Sequence, residues 1–307
     1  MTFTIIAILL LAFFICFIIA KFAFKQVFLA KRKTKETAFE AMKQRNIYDK
    51  SEYESLNFSQ EEIVSIDRLK LKGYHLKTST NNNKVILLIH GYTGNHFMSL
   101  QFVNLFKDLS YDIFMIDARS HGDSEGSYPT YGIMEKEDIR LWINHIRSKY
   151  PHDITIGLHG QSMGAATSLL YGEKYKDIDF IIADCPFSDA KQVLCYQFAE
   201  VAHVPPTPIY SLLNAYTRYF CGLNFEDSSP ISNIPKMNIP VLFIHGTSDS
   251  IIPFAMSEEL YKTKAGSNDE LLLVKNAEHV EAYSQNKSLY ENTVKNFITK
   301  ITKDNDY

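Results

Sequence analysis

The chain is 307 residues long, with 46% hydrophobic and 22% charged residues, a composition that excludes a disordered or fibrous protein. Its net charge is −3, but the first 35 residues carry six of the 32 basic residues and none of the 35 acidic ones. The rest of the chain is therefore acidic, which argues against a nucleic-acid partner, because such binding depends on neutralising phosphates.

The N-terminus begins with an apolar run. Residues 3–20 (FTIIAILLLAFFICFIIA) contain no charge over 18 positions, near the lower end of the length that spans a bilayer as a helix. A signal peptide is the competing interpretation, but it requires a basic segment, a shorter apolar core and a small-residue cleavage site. The pattern therefore favours an uncleaved membrane anchor with its basic flank over residues 1–35.

Six basic residues follow the apolar run, and the positive-inside rule keeps such a cluster in the cytoplasm. We therefore expect a single-pass protein of the cell membrane, with the globular part on the cytoplasmic side. Aromatic residues among the lysines suggest that the helix continues into the headgroup layer. The basic residues are Lys21, Lys25, Lys31, Arg32, Lys33 and Lys35.

Residues 36–60 are polar, with a short helical pattern over 38–45, and are predicted to form a juxtamembrane connector. Strand-like and helix-like stretches then alternate through residues 61–307. This alternation predicts an α/β domain with a mostly parallel central sheet and helices on both faces. The predicted strands are a hairpin of 63–66 and 69–76, then 84–90, 112–117, 153–159, 180–183, 241–245 and 271–275, and the predicted helices are 97–109, 133–150, 163–175 and 289–301.

Residues 188–231 interrupt the alternation. The segment is rich in aromatic residues and carries Pro205, Pro206 and Pro208. Its apolar content and its place between two strands favour a small helical cap over the strand ends, while a packed surface excursion with no role in binding is the alternative.

The four cysteines form no metal-binding pattern. Cys16 lies in the apolar run, which leaves Cys185, Cys195 and Cys221 in the globular part, and no CxxC or Cys/His spacing is present. Free thiols are expected, without a zinc site or a disulfide framework.

The pentapeptide GQSMG follows a predicted strand and opens a predicted helix, as a nucleophile elbow requires. Ser162 would sit on a sharp, strained turn that lifts its hydroxyl above the sheet. Side chains two positions away would collide, so Gly160 and Gly164 are needed on either side. A glycine-flanked turn with a capping serine is the alternative interpretation.

A serine hydroxyl needs a base, and the base needs an orienting carboxylate. In this kind of fold the chain order is Ser, acid, His, and the members follow strand ends. His279 follows the last predicted strand and is the predicted base. Asp249 follows the preceding strand and is the predicted acid, with Asp184 as the main alternative and Asp227 as another acid near the end of the cap.

Acyl-transfer chemistry also needs donors for the oxyanion. One is expected to be the backbone N–H of Met163, directly after the nucleophile, and the other should come from the turn after strand 84–90. In that turn we select the backbone N–H of Tyr92, and we expect His90 to stabilise the turn.

Five segments complete the pattern: IHGYTGN (89–95), DARSHGDSEG (117–126), GQSMG (160–164), HGTSDSIIP (245–253) and AEH (277–279). Together they resemble the α/β-hydrolase superfamily, and most closely the bacterial, N-terminally anchored serine hydrolases described as YqkD-like. The resemblance covers about residues 61–305. It implies the α/β-hydrolase fold and a Ser-Asp-His hydrolase without a cofactor, of esterase or peptidase-like activity. The sequence departs from the pattern at two places, since Ser120 and Asn276-Ala277 stand where glycine is usual.

The sequence therefore predicts a membrane-anchored serine hydrolase, most simply a carboxylesterase acting on a small acyl-ester or lipid-like substrate. No HExxH, GxGxxG or GxxxxGK[ST] motif is present, so neither a metal nor a cofactor is expected. An aminopeptidase or acyl-peptide hydrolase is the second hypothesis, although the chain lacks the several hundred residues of a gating propeller. A degenerate hydrolase fold that serves as a scaffold or ligand binder is the third.

Overall fold

A computed structural model describes residues 2–47, 50–79, 82–150 and 153–303. Within these residues, the strands form one eight-stranded sheet in the order β1-β2-β4-β3-β5-β6-β7-β8. The first two strands pair antiparallel with their neighbours, and every pair from β4 to β8 is parallel. The strands are β1 (Ser59–Val64), β2 (Lys70–Leu76), β3 (Lys84–Ile89), β4 (Asp112–Ile116), β5 (Thr155–Gln161), β6 (Phe180–Asp184), β7 (Val241–Gly246) and β8 (Glu270–Val274).

Helices cover both faces of the sheet. Because β3 to β7 are buried on both faces, they consist largely of continuous apolar residues. The α/β class and the mostly parallel sheet that the sequence predicted are confirmed. The helices are α1 (Thr2–Phe28), α2 (Lys35–Gln44), α3 (Lys50–Ser55), α4 (His96–Ser99), α5 (Val103–Asp108), α6 (Glu135–Arg147), α7 (Met163–Tyr175), α8 (Ala190–Tyr196), α9 (Pro206–Phe220), α10 (Ala255–Lys264), α11 (Ala282–Gln285) and α12 (Lys287–Lys303).

Several elements differ from the sequence prediction. The first strand of the predicted hairpin is Ser59–Val64 instead of 63–66. The helix predicted over 97–109 is broken into α4, a 3-10 turn at Leu100–Phe102 and α5. The strand predicted over 153–159 begins two residues later and continues to Gln161, so that it ends at the proposed nucleophile. Helix α10 was not predicted, because its apolar positions are few: only Met256 and Leu260 are buried hydrophobic residues.

The predicted connector, residues 36–60, contains α2 and α3. The side chain of Thr34 caps the N-terminus of α2, and Ala38 and Met42 on that helix are fully buried against the core that α5 and α12 share. The connector therefore contacts the body of the protein. Where a domain boundary should be placed between them stays a prediction, and its outer limits at residues 1 and 304–307 lie outside the described residues.

Helix α1 extends eight residues past the predicted apolar run. Among the residues that the structure describes, it is the one helix long and apolar enough to cross a membrane, which fits a membrane anchor or a signal sequence. Most of its side chains up to Ile18 are exposed, whereas Val27 and Phe28 in the last turn are buried. The end of α1 is thus part of the globular body.

The insertion between β6 and β7 is helical. It contains α8, a short π-helical turn at Gln197–Val201, α9 and three 3-10 turns. Its apolar side packs on Tyr131, Ala166 and the last turns of α1. The insertion therefore covers the region where the helix after Ser162 begins.

Candidate active site

Ser162 lies between the last residue of β5 and the first residue of α7, with φ of 55° and ψ of −118°. A left-handed backbone of this kind is strained for serine. The two glycines of the motif are sterically required. A Cβ at Gly160 would lie 2.3 Å from the carbonyl oxygen of Gly164, and a Cβ at Gly164 would lie 2.3 Å from that of Ile89. The local geometry is therefore that of a nucleophile elbow.

The structure brings Ser162, His279 and Asp249 into one hydrogen-bonded line. His279 Nε2 lies 2.9 Å from Ser162 Oγ, and His279 Nδ1 lies 2.7 Å from Asp249 Oδ2. Since a carboxylate only accepts, Nδ1 carries the proton and Nε2 is free to accept from the serine hydroxyl. Ser162 and Asp249 are each 7% exposed, so the line is shielded from solvent at both ends.

Asp249 is held by four donors. The N–H groups of Ile251 and Ile252 donate to Oδ1 at 2.9 and 2.8 Å, while His279 and His245 face Oδ2. Burial by itself disfavours a charged carboxylate, but the hydrogen bonds from His245 and His279 outweigh it and hold the pKa of Asp249 well below its usual range. The group is therefore a carboxylate at neutral pH.

His245 is a site residue that sequence analysis did not assign. Its Nε2 lies 3.2 Å from Asp249 Oδ2 and 2.9 Å from the carbonyl oxygen of Ile252, and its Nδ1 lies 2.7 Å from Ser257 Oγ. The only hint in the sequence is its position four residues before Asp249 at the end of a strand. Ser257 comes from α10, the helix that was not predicted.

The alternative acids lie elsewhere. Asp184 Oδ2 accepts from Gln161 Nε2 at 3.0 Å and from the hydroxyl of Tyr290 at 3.3 Å, beneath the elbow. Burial raises the pKa of Asp184 to about 6. Asp227 lies in a 3-10 turn of the insertion and faces Asn224. Of these three carboxylates, it is Asp249 that faces His279.

The turn after β3 lies directly against the nucleophile. A Cβ at Gly91 would come within 3.1 Å of Ser162 Cβ and 3.7 Å of Ser162 Oγ. Among the described residues, neither the N–H of Tyr92 nor that of Met163 donates to another group. Both backbone donors proposed for the oxyanion are thus unpaired beside Ser162.

Two buried histidines fix this turn. His90 Nε2 accepts from the N–H of Ala118 at 3.0 Å, and its Nδ1 lies 2.8 Å from the carbonyl oxygen of Gly91. His121 Nε2 accepts from the N–H of Thr93 at 3.2 Å. Burial lowers the pKa of both rings, which keeps them neutral and able to accept at Nε2. His90 therefore stabilises the turn, as its position suggested.

The two departures from the expected glycine pattern both adopt a left-handed backbone. Ser120 has φ of 62° and Asn276 has φ of 60°. Glycine occupies such positions without strain, and asparagine tolerates them better than most residues. The reason that glycine is usual at these positions is therefore conformational.

One trio of side chains at the site has the spacing of metal ligands. The ligand atoms of Cys185, Asp249 and His279 lie within 4.8 Å of one another. Burial raises the pKa of the Cys185 thiol well above its usual value, so the thiol stays protonated and is a poor ligand. Asp249 and His279 are already hydrogen-bonded to each other. The trio therefore does not fit a metal site.

The end of α1 is joined to the turn that carries Tyr92. The hydroxyl of Tyr92 donates to the carbonyl oxygen of Val27 at 2.7 Å, and the guanidinium of Arg32 lies 5.1 Å from the centre of the Tyr92 ring. The N–H of Lys33 donates to the carbonyl oxygen of Thr93 at 2.8 Å. The last turn of a helix leaves unpaired carbonyls, and here the turn beside the nucleophile satisfies one of them.

Comparison with known proteins also indicates a hydrolase. Residues 80–217 match the family described as serine aminopeptidase, S33. The uncharacterized protein YqkD of Bacillus subtilis is 36% identical over 233 residues, which cover 75% of this chain and 76% of that protein. The lysophosphatidylserine lipase ABHD12 of Danio rerio is 25% identical over 63% of this chain and 50% of that protein.

Among solved structures, the esterase Pf2001 of Pyrococcus furiosus superimposes with a TM-score of 0.67 at 23% identity and covers 82% of this chain and 96% of its own. This structural likeness shows the fold. The identity to YqkD over three quarters of both chains shows that the two proteins belong to one family. The chain therefore belongs to the α/β-hydrolase superfamily, as a hydrolase that resembles YqkD.

Proposed function

We propose that the protein is a membrane-anchored serine hydrolase, most simply a carboxylesterase, with Ser162 as nucleophile, His279 as base and Asp249 as orienting acid. The observation that carries the proposal is the 2.9 Å contact between His279 Nε2 and Ser162 Oγ on a strained elbow. A hydrogen bond of this length lets the imidazole take the serine proton as the hydroxyl attacks.

In the first step, Ser162 Oγ bonds to the acyl carbon, and its proton moves to His279 Nε2. The N–H groups of Tyr92 and Met163 bind the oxyanion of the tetrahedral intermediate. His279 then gives the proton to the departing alkoxide as the ester C–O bond breaks. In the second step, water attacks the acyl-enzyme, its proton passes to His279 and then back to Ser162, and the carboxylic acid leaves.

Asp249 acts by orientation and charge. Its carboxylate fixes the proton of His279 on Nδ1 and stabilises the imidazolium that forms in each step. The pKa of Asp249, held below its usual range by its hydrogen bonds, keeps the group charged, so the proton taken from Ser162 stays on the imidazole.

An ester of an apolar acid suits the surroundings of the site. The insertion that covers the elbow is apolar, and α1 brings the site close to the membrane if it serves as the anchor. One protein of similar structure is an esterase, and one curated relative is a lysophosphatidylserine lipase. The basic residues after the apolar run favour the cytoplasmic side for the body.

A peptidase is the second candidate, because the matched family is described as serine aminopeptidase. An aminopeptidase binds the free amino group of its substrate, and a buried carboxylate near the nucleophile would be the usual partner for that group. Two buried carboxylates near the nucleophile, Asp249 and Asp184, are already occupied by internal donors. The third candidate is a hydrolase fold that binds a ligand without catalysis. Such a protein would have no use for the strained backbone at Ser162.

The test uses the full chain in detergent with a fluorophosphonate probe, a short-chain chromogenic ester and an amino-acid anilide. We expect labelling and ester hydrolysis that Ser162→Ala abolishes and that Ser168→Ala, at a serine of α7 six residues further along the chain, retains. Ester hydrolysis no faster than that of Ser162→Ala would overturn the esterase, and faster turnover of the anilide would favour the peptidase. A chain that the probe leaves unmodified would be a binder.

A further inference from the structure

A groove of about 850 Å³ runs between α1 and α9. Its walls are apolar or aromatic side chains and one cysteine; they include Phe13, Phe17 and Ala20 from α1 and Ala215, Tyr216 and Tyr219 from α9. It lies outside the line of Ser162, His279 and Asp249. A groove with such walls would be filled by hydrocarbon rather than by water.

Helix α9 runs alongside the C-terminal half of α1. The ring of Tyr216 lies 5.2 Å from that of Phe24 and 5.9 Å from that of Phe17, and the ring of Phe220 lies 5.8 Å from Phe17. As the chain proceeds along α9, its contacts move toward the N-terminus of α1. The C-terminal end of α9 therefore points in the direction of the apolar run.

This end of α9 is exposed although it is aromatic. Tyr219 is 83% exposed and Phe220 is 55% exposed, next to Phe13 of α1 at 72%. The three side chains belong to one continuous apolar surface, because all of them line the same groove. A continuous exposed surface of this kind marks a site of contact with protein or membrane.

The depth of the surface follows from helix geometry. Lys21 is the first charged residue after the apolar run, and it places the membrane boundary near that position. With a rise of 1.5 Å per residue, Phe17 would lie about 6 Å and Phe13 about 12 Å beyond Lys21. Half of the hydrocarbon core measures about 15 Å. The end of α9 beside Phe17 would therefore lie within one leaflet.

The charge on α9 agrees with this position. Arg218 is the single charged residue in Pro206–Phe220, and it is exposed. A long arginine side chain can reach the headgroups from below the boundary, and its charge suits anionic lipids. Tyrosine residues such as Tyr219 are enriched at the membrane–water interface, where the charge of Arg218 would also lie.

The body cannot easily rotate away from α1. Phe28 is fully buried beside Phe225 and Tyr131, and the hydroxyl of Tyr131 donates to the carbonyl oxygen of Val27 at 3.2 Å. Helix α9 packs on the same cluster through Leu213. The height of α9 relative to the membrane is thus fixed by α1.

We propose that the C-terminal half of α9 lies in the same leaflet as residues 13–20 of α1, and that an acyl chain of a bilayer lipid fills the groove between the two helices. The interpretation rests on the proposed anchoring by α1, but not on the proposed hydrolysis. It makes the insertion that contains α9 a second membrane contact.

The test measures tryptophan quenching in the full chain, reconstituted into vesicles of phosphatidylcholine with brominated acyl chains. The protein has a single tryptophan, Trp142, which is fully buried and supplies a constant background. The variants are Tyr219→Trp in α9, Phe13→Trp in α1 and, as the control on an exposed position of α12, Leu289→Trp. We expect emission to be lost for Tyr219→Trp and Phe13→Trp and retained for Leu289→Trp.

The other outcomes separate the hypotheses. If Phe13→Trp is quenched by lipid and Tyr219→Trp only by aqueous iodide, the cap faces water and the proposal is wrong while the anchor stands. If neither quencher reaches Tyr219→Trp, a second copy of the chain covers α9, which also overturns it. If lipid quenches neither variant, the anchoring itself fails.

A second measurement addresses the occupant of the groove. A phosphatidylcholine with a diazirine in its acyl chain should label the peptide that contains residues 212–220, and Ala215→Phe, which fills the groove, should reduce that labelling. Labelling confined to α1, or labelling of α9 that Ala215→Phe leaves unchanged, would show that no lipid chain occupies the groove.

Discussion

His245 Nε2 lies 3.2 Å from Asp249 Oδ2, the same oxygen that lies 2.7 Å from His279 Nδ1. His245 Nε2 also faces the carbonyl oxygen of Ile252, so this nitrogen carries a proton, and Nδ1 is hydrogen-bonded to Ser257 Oγ. Both ring nitrogens are hydrogen-bonded. The ring therefore holds Asp249 in place without competing for the role of base.

Replacing His245 should weaken catalysis without removing any reacting group. We expect His245→Phe to lower kcat by about 10–100-fold, because one hydrogen bond to a buried charged group is lost, and to leave KM nearly unchanged. With fewer donors, Asp249 would attract the imidazolium of His279 more strongly, so the acidic limb of the kcat profile should move to higher pH.

Two comparisons interpret this result. Asp249→Asn should be more severe, at about 10⁴-fold in kcat, because the tautomer of His279 is no longer fixed. His245→Asn, which retains a donor, should recover part of the activity. If His245→Phe folds and keeps both its kcat and its pH profile, His245 has no positioning role.

Gly164→Ala should prevent the elbow from forming. Its Cβ would lie 2.3 Å from the carbonyl oxygen of Ile89 and 2.6 Å from that of His90, and backbone atoms cannot rotate away as a side chain can. We expect little folded protein and no probe labelling of Ser162. Thermal unfolding and labelling of the purified full chain measure both effects.

Gly222→Ala is the matched control. Nothing lies within 4 Å of its added Cβ, but its φ is +67°. The expected loss of stability is about 1–2 kcal/mol from backbone strain alone, with labelling retained. Equal behaviour of the two variants would mean that the close approach of β3 does not explain the glycine at 164.

The parallel sheet and the line of Ser162, Asp249 and His279 could be predicted because their patterns are local. Continuous apolar runs predict buried strands, and each proposed site residue lies in the turn after the end of one of them. The need for glycine at position 164 could also be predicted, from the GQSMG motif itself. The atom that a Cβ there would contact, the carbonyl oxygen of Ile89, nevertheless belongs to another strand.

The contributions of His245 and of the end of α1 could not be predicted in this way. His245 acts through Ser257 on α10, a helix whose weak apolar pattern gave no signal. The contact between Tyr92 and Val27 joins residues 65 positions apart. Pairings of this range depend on how the elements pack, and composition and periodicity carry no information about them.

Tyr92→Phe should show whether α1 supports the oxyanion turn. The substitution keeps the backbone N–H and removes only the hydroxyl that donates to Val27. We expect a loss of about 1 kcal/mol in stability for one hydrogen bond and a lower kcat, because the turn beside Ser162 becomes less well fixed. Ester turnover and unfolding of the full chain in detergent measure both.

Tyr131→Phe is the control for this effect. It removes the second donor to the same carbonyl oxygen, at 3.2 Å, but leaves Tyr92 in place. It should reduce stability with little change in kcat. If both variants lower kcat equally, the effect comes from loosening α1 and not from the turn of Tyr92.

His159 should make the protein less stable in acid. Burial lowers the pKa of His159 to about 3, whereas a histidine in the unfolded chain titrates near 6.5. Between these values the unfolded chain binds more protons, so the free energy of unfolding falls as pH falls, by about 1 kcal/mol from pH 7 to 5.5. In the native protein, His159 Nε2 lies 2.8 Å from the hydroxyl of Tyr290. His159→Gln, whose amide can still bond to that hydroxyl, should remove this part of the pH dependence.

Burial also raises the pKa of Asp184, to about 6. This shift acts in the opposite direction, but it is common to both proteins and cancels in their difference. Chemical unfolding at the two pH values measures the difference, and the same slope in both proteins would mean that His159 is not the group that titrates.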